Sequence, residues 1–108
     1  MSSMTPLTYD ILLALADDAR HGYGIIKEIE ERAGASAAPS TGALYLALQR
    51  MLGDELIEEA EGAPDEDRRR RYYRLTRKGR DHAEAESVRL AGLVATAREK
   101  KLLAGGAS

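Results

Sequence analysis

Apolar residues recur at helical spacing through the first half of the chain. Leu7, Ile11, Ala14 and Leu15 fall at i, i+4, i+7 and i+8, one face of a helix. Thr5 stands before them as a cap, and Pro6 takes a position where its missing N–H costs nothing. Leu12 and Leu13 widen the stripe, so this helix is expected to be buried on more than one side and to end near Asp17-Asp18. A second helix is predicted from about Tyr23 to Arg32. Ile25, Ile26, Ile29 and Ala33 form its apolar face, Lys27, Glu28, Glu30 and Glu31 face water, and Gly34 stops it. After a small-residue connection, Ser40 or Thr41 caps a third helix in which Leu44, Leu48, Met51 and Leu52 repeat the spacing. Its opposite face holds Gly42, Leu46, Gln49 and Gly53, flanked by Tyr45 and Arg50. Small, polar and basic residues on an exposed face are unusual for a helix that only supports a core.

Two short strands follow, Leu56 to Glu61 and Arg70 to Thr76, and a hairpin is the simplest way to join them. Thr76 then caps a last helix that runs to about Leu103. Asp81, Glu84 and Glu86 lie near its start and Lys100 and Lys101 near its end, as the helix dipole favours. From Val88 to Ala97 this helix is apolar nearly all round. One small domain offers a single face to bury that surface, so a second copy of the chain is expected to cover the rest. The predicted fold is mainly α with a small β-hairpin: a winged helix-turn-helix plus a C-terminal dimerisation helix. Residues 1–79 form the first part, 80–104 the second, and 105–108 a disordered tail.

The length of 108 residues suits one domain. There is no Cys, which excludes a disulfide scaffold, thiolate metal sites and a cysteine nucleophile. With no Trp or Phe, the core must be aliphatic. No apolar run approaches the ~20 residues of a membrane span, and the start lacks a signal-peptide layout, so a cytoplasmic protein is expected. The formal net charge of -2 argues, as an average, against a polyanionic partner. The charges are segregated, however. Asp54, Glu55, Glu58, Glu59, Glu61, Asp65, Glu66 and Asp67 follow one another without a base, and Arg68, Arg69, Arg70, Arg71, Arg74, Arg77, Lys78 and Arg80 without an acid. The hairpin is expected to turn one block away from the other. Strand alternation puts Arg69, Arg71 and Tyr73 on one face and Arg70, Tyr72 and Arg74 on the other, with one tyrosine ring in the core and one at the rim. Arginine at the wing suits phosphate, because its planar fork bonds two oxygens at once. A charge run can equally be a solvated face.

No catalytic constellation emerges. Asp17-Asp18 and Glu58-Glu59 have no acid or base partner nearby in sequence. Gly22-Tyr23-Gly24 lacks the third glycine and the preceding strand of a dinucleotide loop, so Gly22 reads as turn geometry. His21 and His82 are the only histidines. No metal or cofactor is expected, and His21 is expected to bond backbone in the turn.

The segments Leu7 through Leu15, His21-Gly22-Tyr23-Gly24-Ile25, Ser40-Thr41-Gly42-Ala43-Leu44-Tyr45, Ala47-Leu48, Leu56-Ile57 and Arg70-Arg71-Tyr72-Tyr73-Arg74-Leu75-Thr76-Arg77-Lys78-Gly79 together resemble the PadR family of bacterial transcriptional regulators. The short C-terminal part resembles its smaller subclass. Two positions depart from the pattern: Leu46 where the family commonly has Pro, and Glu55 where it commonly has Gly. For the second, either Gly53 supplies the turn or Glu55 is helical.

The resemblance implies double-stranded DNA as partner, with the helix from Thr41 to Leu52 in the major groove. Gln49 would pair with adenine, Arg50 with guanine or phosphate, and Leu46 with a thymine methyl. Ser40, Thr41 and Tyr45 offer hydroxyls to phosphate around Gly42, Tyr23 and Lys27 lie where the preceding helix crosses the backbone, and Arg68, Arg69, Arg70 and Arg71 form the wing. Against this, Tyr45 could serve only as packing at the helix edge, Arg50 only as a partner to nearby acids, and Tyr23 as a core residue. Val88, Leu90, Ala91, Leu93, Val94 and Ala97 would form the homodimer seam. A two-fold dimer matches a palindromic operator with half-sites about 34 Å apart. A repressor is the expected role. Some relatives release DNA on binding a small hydrophobic or phenolic effector, but no residue here marks such a site. The rival readings are a protein-interaction module using the acidic segment Asp54 to Asp67, and a small-molecule sensor. An enzyme is not expected.

Overall fold

In the computed structural model, which describes residues 4–61 and 70–104, each of the four described α-helices begins on a side chain that accepts a backbone N–H. Thr5 caps α1 (Pro6–Ala14), His21 caps α2 (Gly22–Ala33), Ser40 caps α3 (Thr41–Gly53) and Thr76 caps α4 (Arg77–Glu99). Such caps satisfy donors that the first helical turn leaves unpaired. Three short strands, β1 (Arg20–His21), β2 (Ile57–Ala60) and β3 (Tyr72–Leu75), form an antiparallel sheet in the order β1-β3-β2. The molecule is thus mainly helical with a small sheet. Among the described residues, no helix is long and apolar enough to cross a membrane.

Several boundaries differ from the sequence expectation. α1 stops at Ala14, three residues before Asp17. Arginines meet carbonyls at and just past its end instead of another helical turn: Arg20 Nε donates to Ala14 O at 2.7 Å, and Arg80 donates to Ala16 O at 2.8 Å. The hairpin strands are shorter than expected, and Arg20-His21 adds a third strand. β1 pairs with β3 at Arg20 opposite Tyr73 and His21 opposite Tyr72. A strand therefore does precede the Gly22-Tyr23-Gly24 segment. α4 ends at Glu99 rather than near Leu103. The expected tail, 105–108, lies outside the described residues.

The core is aliphatic, as the composition required. Ile11 and Leu12 of α1, Ile25 and Ile29 of α2, and Leu44, Leu48 and Met51 of α3 are fully buried. Tyr73 joins them from β3, while Tyr72 is half-buried at the rim. Arg32 links α2 to α1 by bonding Glu28 at 3.0 Å and the Asp10 carboxylate at 3.1 Å. The hydrogen bond to Glu28, with help from Asp10, holds its guanidinium even more firmly protonated than usual.

The exit from α3 corrects both expectations for Glu55. This residue is neither helical nor relieved by Gly53; it adopts a left-handed φ of 62° itself. The Leu56 N–H bonds Met51 O and the Glu55 N–H bonds Leu52 O, the pattern of a Schellman cap that usually carries glycine at this position. Leu56 and Met51 are both buried, which supplies the apolar contact that accompanies such caps. Thr76 then fastens the turn to α4. Its hydroxyl donates to Glu55 O at 2.6 Å and accepts from the Gly79 N–H at 2.9 Å, while the Thr76 N–H donates to Leu56 O. Thr76→Val, which keeps the shape and removes the oxygen, should cost about 1–2 kcal/mol of stability. Urea denaturation would check this, and an unchanged midpoint would contradict it.

Candidate nucleic-acid interface

The buried positions of α3 follow the apolar stripe, so the other side of the helix is open. Thr41, Gly42, Leu46 and Gln49 are exposed there, and Leu46 is 70% accessible. A leucine that bare in the middle of a helix face is left largely uncovered by the described residues. Ser40 accepts from the Ala43 N–H at 3.1 Å, a bond that leaves its hydroxyl hydrogen to donate elsewhere. Tyr45 stands on one flank of this face and Arg50 on the other.

Tyr45 is positioned by a glycine. Its ring and hydroxyl lie so close to Gly22 that a Cβ there would collide with them. Gly22 is thus the first residue of α2 and a seat for the Tyr45 ring, not the turn element expected from sequence. Tyr23 follows it, exposed, and Lys27 lies exposed one helical turn further on.

A cavity of about 420 Å³ joins the start of α2, α3 and the wing. It is lined by His21, Tyr23, Tyr45, Arg70, Arg71 and Tyr73. His21 organises it: Nδ1 accepts from the Gly24 N–H at 2.9 Å, Nε2 lies 2.9 Å from the Arg70 guanidinium, and the ring packs edge-on against Tyr72 with centroids 5.2 Å apart. Burial pushes the Tyr73 hydroxyl above its ordinary range, and Tyr45 adds to the shift. Sequence reasoning assigned His21 only to the turn. Its place between Arg70 and Tyr72 depends on β1, which has too few residues to show a period.

The structure brings Tyr23, Tyr45, Arg70 and Arg71 together and keeps Leu46, Gln49 and Gly42 beside them on the open face. Arg50 is on the far flank, where it lines a separate cavity of about 370 Å³ with Met51, Asp54, Asp81, His82 and Arg89. Arg68 and Arg69 fall outside the described residues. Arg70 and Arg71 precede β3 instead of alternating within it, so both reach one cavity. The two charge blocks are not turned apart. Register sets Glu58 opposite Arg74, with Oε2 and Nε 2.8 Å apart, and brings Glu59 to 4.0 Å from Arg71. Among the described residues, no group of three or more His, Asp or Glu could hold a metal ion.

α4 packs its first turns on the domain through Gly79 and Ala83. Ser87 donates to Ala83 O, so the Tyr9 hydroxyl donates to Ser87 Oγ, at 2.7 Å, tying α1 to α4. Further along, Val88 is 73% exposed and Leu93 55%, with Val94 and Ala91 exposed and Leu90 and Ala97 half-buried. The second half of α4 thus exposes apolar side chains on more than one side.

The fold and sequence have known counterparts. The family model described as the transcriptional regulator PadR-like family matches residues 11–85. A crystal structure of a PadR family transcription regulator from Clostridium difficile is similar with a TM-score of 0.76 and 27% identity, over 88% of this chain and 97% of that one. Bacillus subtilis PadR in complex with operator DNA shares the fold, with a TM-score of 0.68 and 20% identity over 78% of this chain and 48% of that one. An uncharacterized 37.1 kDa transposon protein of Streptomyces fradiae is 39% identical over 77% of this chain. The chain spans 22% and 64% of the length of the curated relatives it matches.

Proposed function

Because this chain belongs to the PadR-like family, whose members are transcriptional regulators and not enzymes, we propose that it is a repressor that binds a palindromic operator as a homodimer. The observation that carries this is the open face of α3. Leu46 and Gln49 stand outward, flanked by the Tyr23, Tyr45, Arg70 and Arg71 cavity. A helix with apolar and amide groups outward and a cationic, phenolic flank suits a groove floor edged by phosphates.

Gln49 reads adenine, Leu46 meets a thymine methyl, and Ser40, Thr41 and Tyr45 bond phosphate around Gly42. Tyr23 and Lys27 hold the backbone, and the wing arginines Arg68 to Arg71 clamp it. Arg50, on its flank, reaches a phosphate in preference to a base edge. Residues 1–79 do this work, and the helix in 80–104 joins two protomers through Val88, Leu90, Ala91, Leu93, Val94 and Ala97. The two α3 helices then meet half-sites about 34 Å apart. The protein acts in the cytoplasm, where its operator lies. The rival reading, an acidic docking segment, loses support because Glu58 and Glu59 already face Arg74 and Arg71.

A mobility shift with DNA from upstream of its own gene, repeated at rising salt, tests the proposal. A shift that salt weakens steeply is expected. No shift at low salt would overturn it. Alanine at Arg68, Arg69, Arg70 and Arg71 together should weaken binding to every sequence and flatten the salt slope. Unchanged affinity would remove the wing from the interface.

A further inference from the structure

Two of the described arginines at the wing, Arg71 and Arg74, already face carboxylates. Glu59 Oε1 lies 4.0 Å from Arg71 Nε, and the two side chains are 56% and 69% exposed. Glu59 is opposite Tyr73 in strand register, and Arg71 lines the cavity beside Tyr45 and Tyr23. This pair therefore sits on the side of the wing that adjoins α3. Glu58 and Arg74, at 2.8 Å, stand on the other side, because alternation along β2 and β3 turns both away from Tyr73. An exposed and loosely held ion pair contributes little to folding. Its consequence lies in what else Arg71 can hold.

We infer that Glu59 is an internal phosphate mimic: it faces Arg71 in the free protein and is displaced when Arg71 takes a DNA phosphate. The inference rests on the DNA-binding reading above. A carboxylate and a phosphate offer a guanidinium the same pair of anionic oxygens. When a bare arginine binds DNA, a condensed cation leaves the duplex, and that release sets the salt dependence. When Arg71 moves from Glu59 to a phosphate, a cation leaves the DNA, but the abandoned carboxylate draws one from solution. Net release at this residue is near zero. Glu59 thus lowers both the low-salt affinity and the steepness with which salt weakens it. An Arg71 without that carboxylate would add one more sequence-independent phosphate contact. By restraining the sequence-independent part of binding, Glu59 leaves more of the choice of site to Leu46 and Gln49.

The test is a salt titration of the full chain against a fluorescein-labelled random-sequence duplex, read by anisotropy. Glu59→Gln should steepen the plot of log affinity against log salt by about 0.9 for each protomer bound. Between 50 mM and 200 mM salt, that is about 3.5-fold more affinity lost per protomer than in the wild type. Glu58→Gln removes the same charge one residue away and should change the slope much less. In an Arg71→Gln background, Glu59→Gln should leave the slope unchanged. Equal slopes for wild type and Glu59→Gln would overturn the inference and leave the DNA reading standing. So would equal steepening by Glu58→Gln, or steepening that persists without Arg71. Absence of binding by every variant at low salt would overturn both readings.

Discussion

Gly79→Ala should cost about 3 kcal/mol or more of folding stability, the largest loss expected from a single methyl in this chain. Gly79 lies in the first turn of α4 with its Cα against the Leu56 backbone, and an added Cβ would collide with the Leu56 carbonyl. That carbonyl cannot give way. It accepts the Thr76 N–H, its own residue's N–H is bound to Met51 O, and the Leu56 side chain is buried. The methyl must therefore part α4 from the α3 exit. For a domain of this size the loss corresponds to a fall in Tm of about 10 °C or more. It should be measured at fixed protein concentration, because dimerisation would itself add stability. Gly53→Ala is the contrast, since a Cβ there meets nothing within 4 Å. That variant should be at least as stable as the wild type. A Gly79→Ala protein that melts with the wild type would show that α4 and Leu56 can separate freely.

If two protomers join through α4 as proposed, Glu at both Leu93 and Val94 should leave the protein monomeric. Both side chains are exposed on the single chain, so the folded protomer tolerates the change. In a two-fold seam the same substitutions bury four carboxylates without partners. Dimer affinity should weaken at least about a thousandfold, near 4 kcal/mol. Light scattering should then give the protomer mass, and operator affinity should fall about a hundredfold or more as binding becomes monovalent. A mass that stays dimeric would mean that this stretch of α4 is not the seam.

The four α-helices were legible because they are periodic, and so were the caps of α1, α3 and α4, whereas the His21 cap of α2 was not. Leu44, Leu48 and Met51 announce their face of α3, and Ser40 and Thr76 are residues that cap by preference. β1 was not legible: two polar residues carry no alternation, and only pairing with β3 makes them a strand. Glu55 was misjudged because its left-handed conformation is imposed from outside, by the bonds that Leu56 and Thr76 make around it. The charge blocks were misjudged for a geometric reason. Antiparallel pairing reflects the sequence about the turn, so an acidic block before the turn and a basic block after it meet face to face. Arg50 shows the limit of a helical wheel, which gives its flank but not the cavity beside α4. The seat of Tyr45 on Gly22 joins residues of two different helices, and no local pattern records it.

That seat also has a mechanical side. With the Tyr45 ring laid on Gly22, a roll of α3 about its axis would press on the start of α2, so the two helices are coupled there. The second half of α4, by contrast, is largely exposed on the protomer. In a dimer, the tolerance for operators whose half-sites are spaced a base pair too far or too near would be set by the bending of the α4 pair.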